Sequence, residues 1–293
     1  MTDKSNGPSG KHTLKKCLCI AAGLLLIASV SIGIYAGSLM NQIHYVDSQT
    51  APTLTQQELN SLQVEETVQS RRHSEISVQW ETTYAPIAKE DYVVNILLIG
   101  QDRRPGETRA RSDAMILCTF NTRNNTLTMT SFLRDLWVQI PGYQDNKLNA
   151  AYAAGGMKLL QKTLEHNFGI HIDGNVEVDF NRFVQIVDLL GGVEIELRSD
   201  EARYLNRALD TQKLTAGVQT LTGKQVLCYC RIRSLDSNAD FSRTNRQRKV
   251  LDALVRKYRA AGITKTLSLL DDILPMLTTD MTRMQIMGYA YEL

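Results

Sequence analysis

Three kinds of hydrophobic pattern run along this chain of 293 residues. The first is one block, residues 17–40 (CLCIAAGLLLIASVSIGIYAGSLM), with no charge in it. As a helix it would span about 36 Å, enough for a hydrocarbon core of roughly 30 Å. The second is the short apolar run bounded by turn residues, which suits strands. Tyr92–Ile99 ends in Gly100, and Ala114–Asn121 and Thr126–Phe132 are joined by a polar turn at Thr122–Asn125. Trp137–Ile140, Val176–Phe180 and Val193–Leu197 read the same way. The third is the helical period: Leu148–Phe168, despite Gly155-Gly156, and Arg182–Leu190, stopped by Gly191-Gly192. From Gly223 onward helical spacing dominates, with Val250, Leu251, Leu254, Val255 and Tyr258 on one face. This alternation predicts an α/β fold with helices packed on a sheet.

Charge orients the first block. Lys11, Lys15 and Lys16 precede it, and no Lys or Arg follows until Arg71. The positive-inside rule then places the N-terminus in the cytoplasm and everything after residue 40 outside. A cleavable signal peptide is the competing reading; the apolar run is long for one, and no small-x-small site closes it. We expect a cytoplasmic N-terminus (1–16), a transmembrane anchor (17–40), an extracytoplasmic stalk (41–90) and one catalytic-size domain (91–293). The stalk is polar and without strand-like runs. Thr55-Gln-Gln-Glu58 resembles a capping box, and Leu59, Leu62 and Val68 suggest a modest helix. The helix-like pattern still runs at Tyr291-Glu-Leu293 without a stop signal, as expected of a chain whose C-terminal portion is missing.

Composition narrows the function classes. The net charge is only +2, with 33 basic against 31 acidic residues, so a nucleic-acid binder is disfavoured and any basic character is local. Five cysteines are too few for a disulfide scaffold. Cys17 and Cys19 lie in the anchor, and Cys118, Cys228 and Cys230 read as buried or free thiols. Neither Gly-x-Ser-x-Gly nor His-Glu-x-x-His occurs, and His166 and His171 read as solvated or core histidines. Gly217…Gly223-Lys224 misses the phosphate-loop spacing, with Gln225 where Ser or Thr is required.

The basic character gathers at Arg231-Ile-Arg233 and Asp240-Phe-Ser-Arg243-Thr-Asn-Arg246-Gln247-Arg248, which runs into a helix. Cations at a helix N-terminus are disfavoured unless an anion lies between them and the free N–H groups. Arg243, Arg246 and Gln247 point roughly the same way, so a ligand with several phosphate oxygens fits; a solvated basic face is the alternative. A second cluster, Asp102, Arg103, Arg104, Arg109, Arg111 and Asp113, follows the first strand. Asp102 and Asp113 bracket a loop between neighbouring strands, and two carboxylates with phosphate oxygens make a Mg²⁺ site. A surface loop of mutual salt bridges is the alternative. Arg134-Asp135 adds a guanidinium at the same edge.

These stretches, in order, resemble the blocks of the LytR-CpsA-Psr family over roughly residues 92 to 255. They are Asn95-Ile-Leu-Leu-Ile-Gly-Gln-Asp102, Arg111-Ser-Asp113, Ser131-Phe-Leu-Arg134-Asp135 and Lys147-Leu-Asn-Ala-Ala-Tyr-Ala-Ala-Gly-Gly156. Val178-Asp-Phe180, Val187-Asp-Leu-Leu-Gly-Gly-Val193, Tyr229-Cys-Arg-Ile-Arg233 and Asp240–Gln247 follow. The resemblance implies a central mixed sheet flanked by helices, preceded by one transmembrane helix. It implies an extracytoplasmic phosphotransferase that moves a phosphate-linked glycopolymer from a polyprenyl pyrophosphate carrier to peptidoglycan at the membrane; a non-catalytic envelope regulator or polymer binder is the alternative. By match to the motifs, Asp102 and Asp113 would hold Mg²⁺ (or Mn²⁺), while Arg111, Arg134, Arg231, Arg233, Arg243 and Gln247 grip the pyrophosphate. Asp240 would orient arginines or assist the acceptor hydroxyl. Leu133 stands where the family has proline before this arginine. An apolar groove for the lipid is expected from the helices between Leu148 and Leu190.

Overall fold

The computed structural model describes residues 35–46, 54–59, 87–102, 112–211, 213–260, 269 and 271–292. Contacts divide the chain into two units, Met1–Gln42 and Ile43–Leu293. In the first, residues 35–42 are helical, and most of the anchor segment lies outside the described residues. Among the described residues no helix is long and apolar enough to cross a membrane.

The second unit carries the α/β fold. In chain order it holds β1 (His44–Tyr45), β2 (Val93–Gln101), β3 (Ser112–Asn121), β4 (Thr126–Ser131), β5 (Trp137–Val138) and β6 (Asn146–Lys147). Then come α1 (Leu148–Phe168), β7 (Gly174–Asp179), α2 (Phe180–Leu189), β8 (Val193–Leu197) and α3 (Ser199–Ala208). It ends with β9 (Gly217–Leu221), α4 (Gly223–Cys230), α5 (Ala239–Ala260), β10 (Thr278–Thr279) and α6 (Arg283–Glu292). The sheet order is β1-β10-β7-β2-β3-β4, with β2 antiparallel to β3 and parallel to β7. The sheet is therefore mixed.

Strand period separates two faces of β2. Leu97 and Ile99 pack with Met115 and Leu117 of β3 against Leu148, Ala151, Leu160 and Leu164 of α1. Val94 and Ile96 face the other way, toward Met281. A separate core joins α2 to α5 with the β8–β9 hairpin, built on Val187, Val193, Leu205, Leu221, Val226 and Val250. Asp179 starts α2 by accepting the Arg182 N–H at 2.9 Å, and so ends β7 one residue earlier than its apolar run suggests.

Several expectations are amended. Leu148–Phe168 is two helices meeting at Gly155 and Gly156, whose backbones are non-helical (Gly156 φ 63°, ψ −155°). The 41–90 stretch is not strand-free: His44–Tyr45 pairs with β10, because the short edge needs a partner. Leu59 is buried in the main core, and the Leu54 N–H reaches the Ala154 carbonyl at 2.9 Å. The capping box at Thr55 and Glu58 is present, with Thr55 N to Glu58 Oε2 at 2.7 Å; Leu62 and Val68 lie outside the described residues. Gly217–Lys224 forms β9 and the first turn of α4, capped by Thr222 and Gln225. A Cβ on Gly223 would meet the Val184 carbonyl at 2.2 Å, so this turn is pressed against α2.

Candidate functional site

The first element of the site is a bulge. Gly100 pairs with Ala114 and Gln101 with Ser112, leaving Asp113 as the extra residue. A bulge re-aims the side chain it frees. Asp113 here accepts Arg134 Nη1 at 2.6 Å, with both side chains about four-fifths buried. Arg134 is positioned from α1: the Leu148 and Asn149 N–H groups, unpaired inside a helix's first turn, bond the Leu136 and Arg134 carbonyls at 2.7 and 3.0 Å. Arg134 and Lys147 also flank Asp135, at 3.3 and 3.2 Å. Burial pushes the Asp135 carboxyl up, but the two cations outweigh it and hold it below the usual carboxylate range.

The second element is the connection from α4 to α5. Arg231 caps α4, lies 5.1 Å from the Phe180 ring centroid, and reaches Asp102 Oδ2 at 3.4 Å across the β2 end. Asp240, in the first turn of α5, faces Arg243 at 3.3 Å and Arg233 at 4.0 Å. An acid there suits the helix N-terminus. Arg243 is buried, and its Nε has no hydrogen-bond partner among the described residues. That is a costly state for a guanidinium and marks a donor awaiting an acceptor. Gln247 follows one turn later on the same side.

Between these elements lies a cavity of about 570 Å³. Asp113, Arg134, Arg231, Arg233, Arg243 and Gln247 line it on the polar side. Its apolar walls are Leu98, Ile116, Val176 and Val178 of the sheet, Phe180 and Phe183 of α2, Leu227 of α4, and Val250, Leu251 and Leu254 of α5. Cys230 also lines it, its thiol pushed up to about 12 by burial; burial likewise takes Cys118 to about 11. Cys118, Cys228 and Cys230 are free thiols.

The sequence-derived site thus converges in large part. Six of its residues line one cavity, and Asp102 and Asp240 contact arginines at its edge. Arg111 lies outside the described residues, as do Arg103, Arg104 and Arg109. Arg246 is the exception to the expected shared direction. It is buried in ion pairs with Glu201 and Asp236: residues 243 and 247 lie within about 40° of each other around the helix, and 246 is turned about 60° to the far side of 243. The groove meets expectation in part: of the helices between Leu148 and Leu190, α2 contributes Phe180 and Phe183, whereas α1 contributes nothing to the lining given by the described residues and sheet side chains take its place. Alternation along β2 is the signal for that face, hidden because both faces are apolar.

Asp102 and Asp113 are hard oxygen donors on adjoining strand ends, chemistry that fits Mg²⁺ or Mn²⁺. No group of three or more potential metal-ligating side chains gathers among the described residues, so phosphate oxygens and water would complete the shell.

Comparison with known proteins gives a consistent picture. A model of the LytR_cpsA_psr family matches residues 53–293. The chain is 33% identical over 318 residues to the polyisoprenyl-teichoic acid–peptidoglycan teichoic acid transferase TagT of Bacillus subtilis (strain 168), covering 100% of this chain and 92% of that one. It is 36% identical over 171 residues to the regulatory protein MsrR of Staphylococcus aureus (strain Mu50), covering 58% and 50%. Among solved structures, TagT bound to LI-WTA superposes with TM-score 0.58 at 30% identity, covering 74% of this chain and 82% of that one. YwtF (TagT) with bound octaprenyl pyrophosphate lipid gives TM-score 0.54 at 28% identity, covering 76% and 80%.

Proposed function

Because the chain belongs to the LytR-CpsA-Psr family, we propose that it is an extracytoplasmic phosphotransferase moving a phosphate-linked glycopolymer from a polyprenyl pyrophosphate carrier to peptidoglycan. The observation that carries this reading is a single cavity with apolar walls and a guanidinium-lined side. It matches an amphiphile with a hydrocarbon tail and a head of several phosphate oxygens. The relative that bears octaprenyl pyrophosphate supports it.

In this reading the tail lies along Leu98, Val178, Phe183 and Leu254, and the diphosphate meets Arg134, Arg231, Arg233, Arg243 and Gln247. The acceptor hydroxyl attacks the phosphorus nearer the glycan. The P–O bond to the lipid-side phosphate breaks, a phosphodiester forms, and polyprenyl monophosphate leaves. Asp240 keeps Arg243 and Arg233 toward the head group, and we assign it the hydroxyl proton. Arg111 joins the site by resemblance alone. Mg²⁺ or Mn²⁺ held by Asp102 and Asp113 would neutralise charge on the diphosphate. Charge stabilisation of this kind replaces a covalent nucleophile.

The same reading places the protein in the cell membrane, single-pass through residues 17–40, N-terminus inside. Its support is the uncharged block and the three lysines before it. A cysteine at Ser70 should react with a membrane-impermeant thiol reagent in whole cells, and changing Lys11, Lys15 and Lys16 to glutamate should scramble this. Labelling only after lysis would place the arginines among cytoplasmic nucleotides and sink the assignment. The activity is tested with the full-length chain in detergent, a polyprenyl-pyrophosphate-linked glycan, peptidoglycan and Mg²⁺. Glycan joined to peptidoglycan with release of polyprenyl monophosphate is expected; binding without transfer would favour the regulator reading.

A further inference from the structure

Arg243 and Arg246 stand three residues apart on α5, and only Arg243 lines the cavity. Arg246 is 3% exposed, and its contacts account for its guanidinium in detail. Nε donates to Glu201 Oε1 at 2.8 Å, Nη2 pairs with Asp236, and Nη1 donates to the Ile232 carbonyl at 3.2 Å. Glu201 belongs to α3, where its other oxygen accepts the Arg198 N–H at 3.0 Å. Asp236 is also held by Arg198, at 3.0 Å. Ile232 is the residue between Arg231 and Arg233, and its own side chain is fully buried in the second core. One guanidinium therefore ties three elements together and grips the backbone midway between two arginines of the site.

We propose that Arg246 is a positioning residue: through the Ile232 carbonyl it sets where Arg231 and Arg233 stand at the mouth of the cavity. A buried ion pair is a weak source of stability, because desolvation offsets its attraction, but it defines one geometry well. Arg231 and Arg233 need that help, since their own partners are distant, at 3.4 and 4.0 Å, and both side chains are about half exposed. A head group with closely spaced phosphates demands guanidiniums placed to within a fraction of an ångström. The inference rests on reading Arg231 and Arg233 as holders of that head group.

The test measures binding of octaprenyl pyrophosphate in detergent to the full-length chain, with melting recorded alongside. Arg246→Lys and Asp236→Asn should each weaken binding about tenfold, the scale of a lost charge-assisted contact. In a background carrying Arg231→Ala and Arg233→Ala, the same changes should add less than about twofold, because coupled residues are not additive. Equal losses in both backgrounds, or unchanged affinity, would overturn the inference, since a general structural defect acts whether or not those arginines are present. Asp236→Asn keeps the shape of the pair and carries the test if Arg246→Lys does not fold. Wild-type protein that fails to bind the probe would remove the functional reading itself, and this inference with it; wild-type binding lost on Arg231→Ala with Arg246→Lys silent removes the inference alone.

Discussion

The two faces of the central sheet are built from the same strands and end differently. Under α1, Leu97, Ile99, Met115 and Leu117 are all buried to 5% exposure or less, and the run Ala150–Ala154, broken by Tyr152, lets the helix lie close. On the other face Leu98, Ile116, Val176 and Val178 look into about 570 Å³ of open volume. The helices there are held off because they have a core of their own. α2, α4 and α5 pack onto the β8–β9 hairpin through Val187, Val193, Leu221 and Val226, and meet the sheet where α2 leaves β7 and where α5 reaches β4. An apolar wall without a filler forgoes dispersion contacts that close packing would give. One face is packed along its length; the other is packed at one end, where Val94 and Ile96 meet Met281, and open at the end where the arginines gather.

The sharpest way to break this comparison is at the polar rim of the open face. Asp102→Ala or Asp113→Ala should lower Mg²⁺-dependent glycan transfer by about 100-fold or more, the scale of losing a preorganised electrostatic group. Melting should change little for Asp102, which is well exposed. Both variants transferring at the wild-type rate with the same Mg²⁺ dependence would remove the metal assignment. Next in size come the guanidiniums. Arg233→Ala should cost about 1.5–3 kcal/mol in affinity for octaprenyl pyrophosphate, as for a hydrogen bond to a charged group. The melting temperature should barely move, because a half-exposed ion pair at 4.0 Å contributes little. Unfolding without a binding defect would make Arg233 structural.

How far the sequence shows all this depends on whether a residue's fate is local. Val193–Leu197 alternates apolar and polar, and forms a strand over that same span. β2 extends two residues past its apolar run, because Gln101 is buried by bonding to Glu177, a residue 76 positions away. β1 and β10 are two residues each, and only their neighbours make them strands. α3 has an apolar stripe of just Ala202 and Leu205, and its third buried side chain is Glu201, the partner of Arg246. The same distant acid decides that Arg246 turns inward while Arg243 meets the cavity. Residue type and spacing pointed to the anion chemistry of the site. They could not divide the arginines between head group and scaffold, nor tell Leu98 from Ile99.

That last pair gives the most direct measure of the two faces. Leu98 and Ile99 are adjacent and similar in volume, and they sit on opposite sides of β2. Ile99 is 1% exposed in the sealed core, so Ile99→Ala should cost about 2–5 kcal/mol, the transfer loss plus the price of a new void. Leu98 already borders open volume, so Leu98→Ala enlarges a cavity that exists and strips fewer contacts. Its cost should fall near or below about 2 kcal/mol, at the bottom of the range for such truncations. Denaturant unfolding of the two variants reads the difference. Saturating octaprenyl pyrophosphate should stabilise Ile99→Ala as much as wild type, since Ile99 borders the cavity but its side chain is buried in the core under α1. The same ligand should stabilise Leu98→Ala less than wild type, because part of the wall that would contact the tail is gone. Equal costs for the two truncations, with equal ligand stabilisation, would mean that the open face closes in solution and that the sheet is packed alike on both sides.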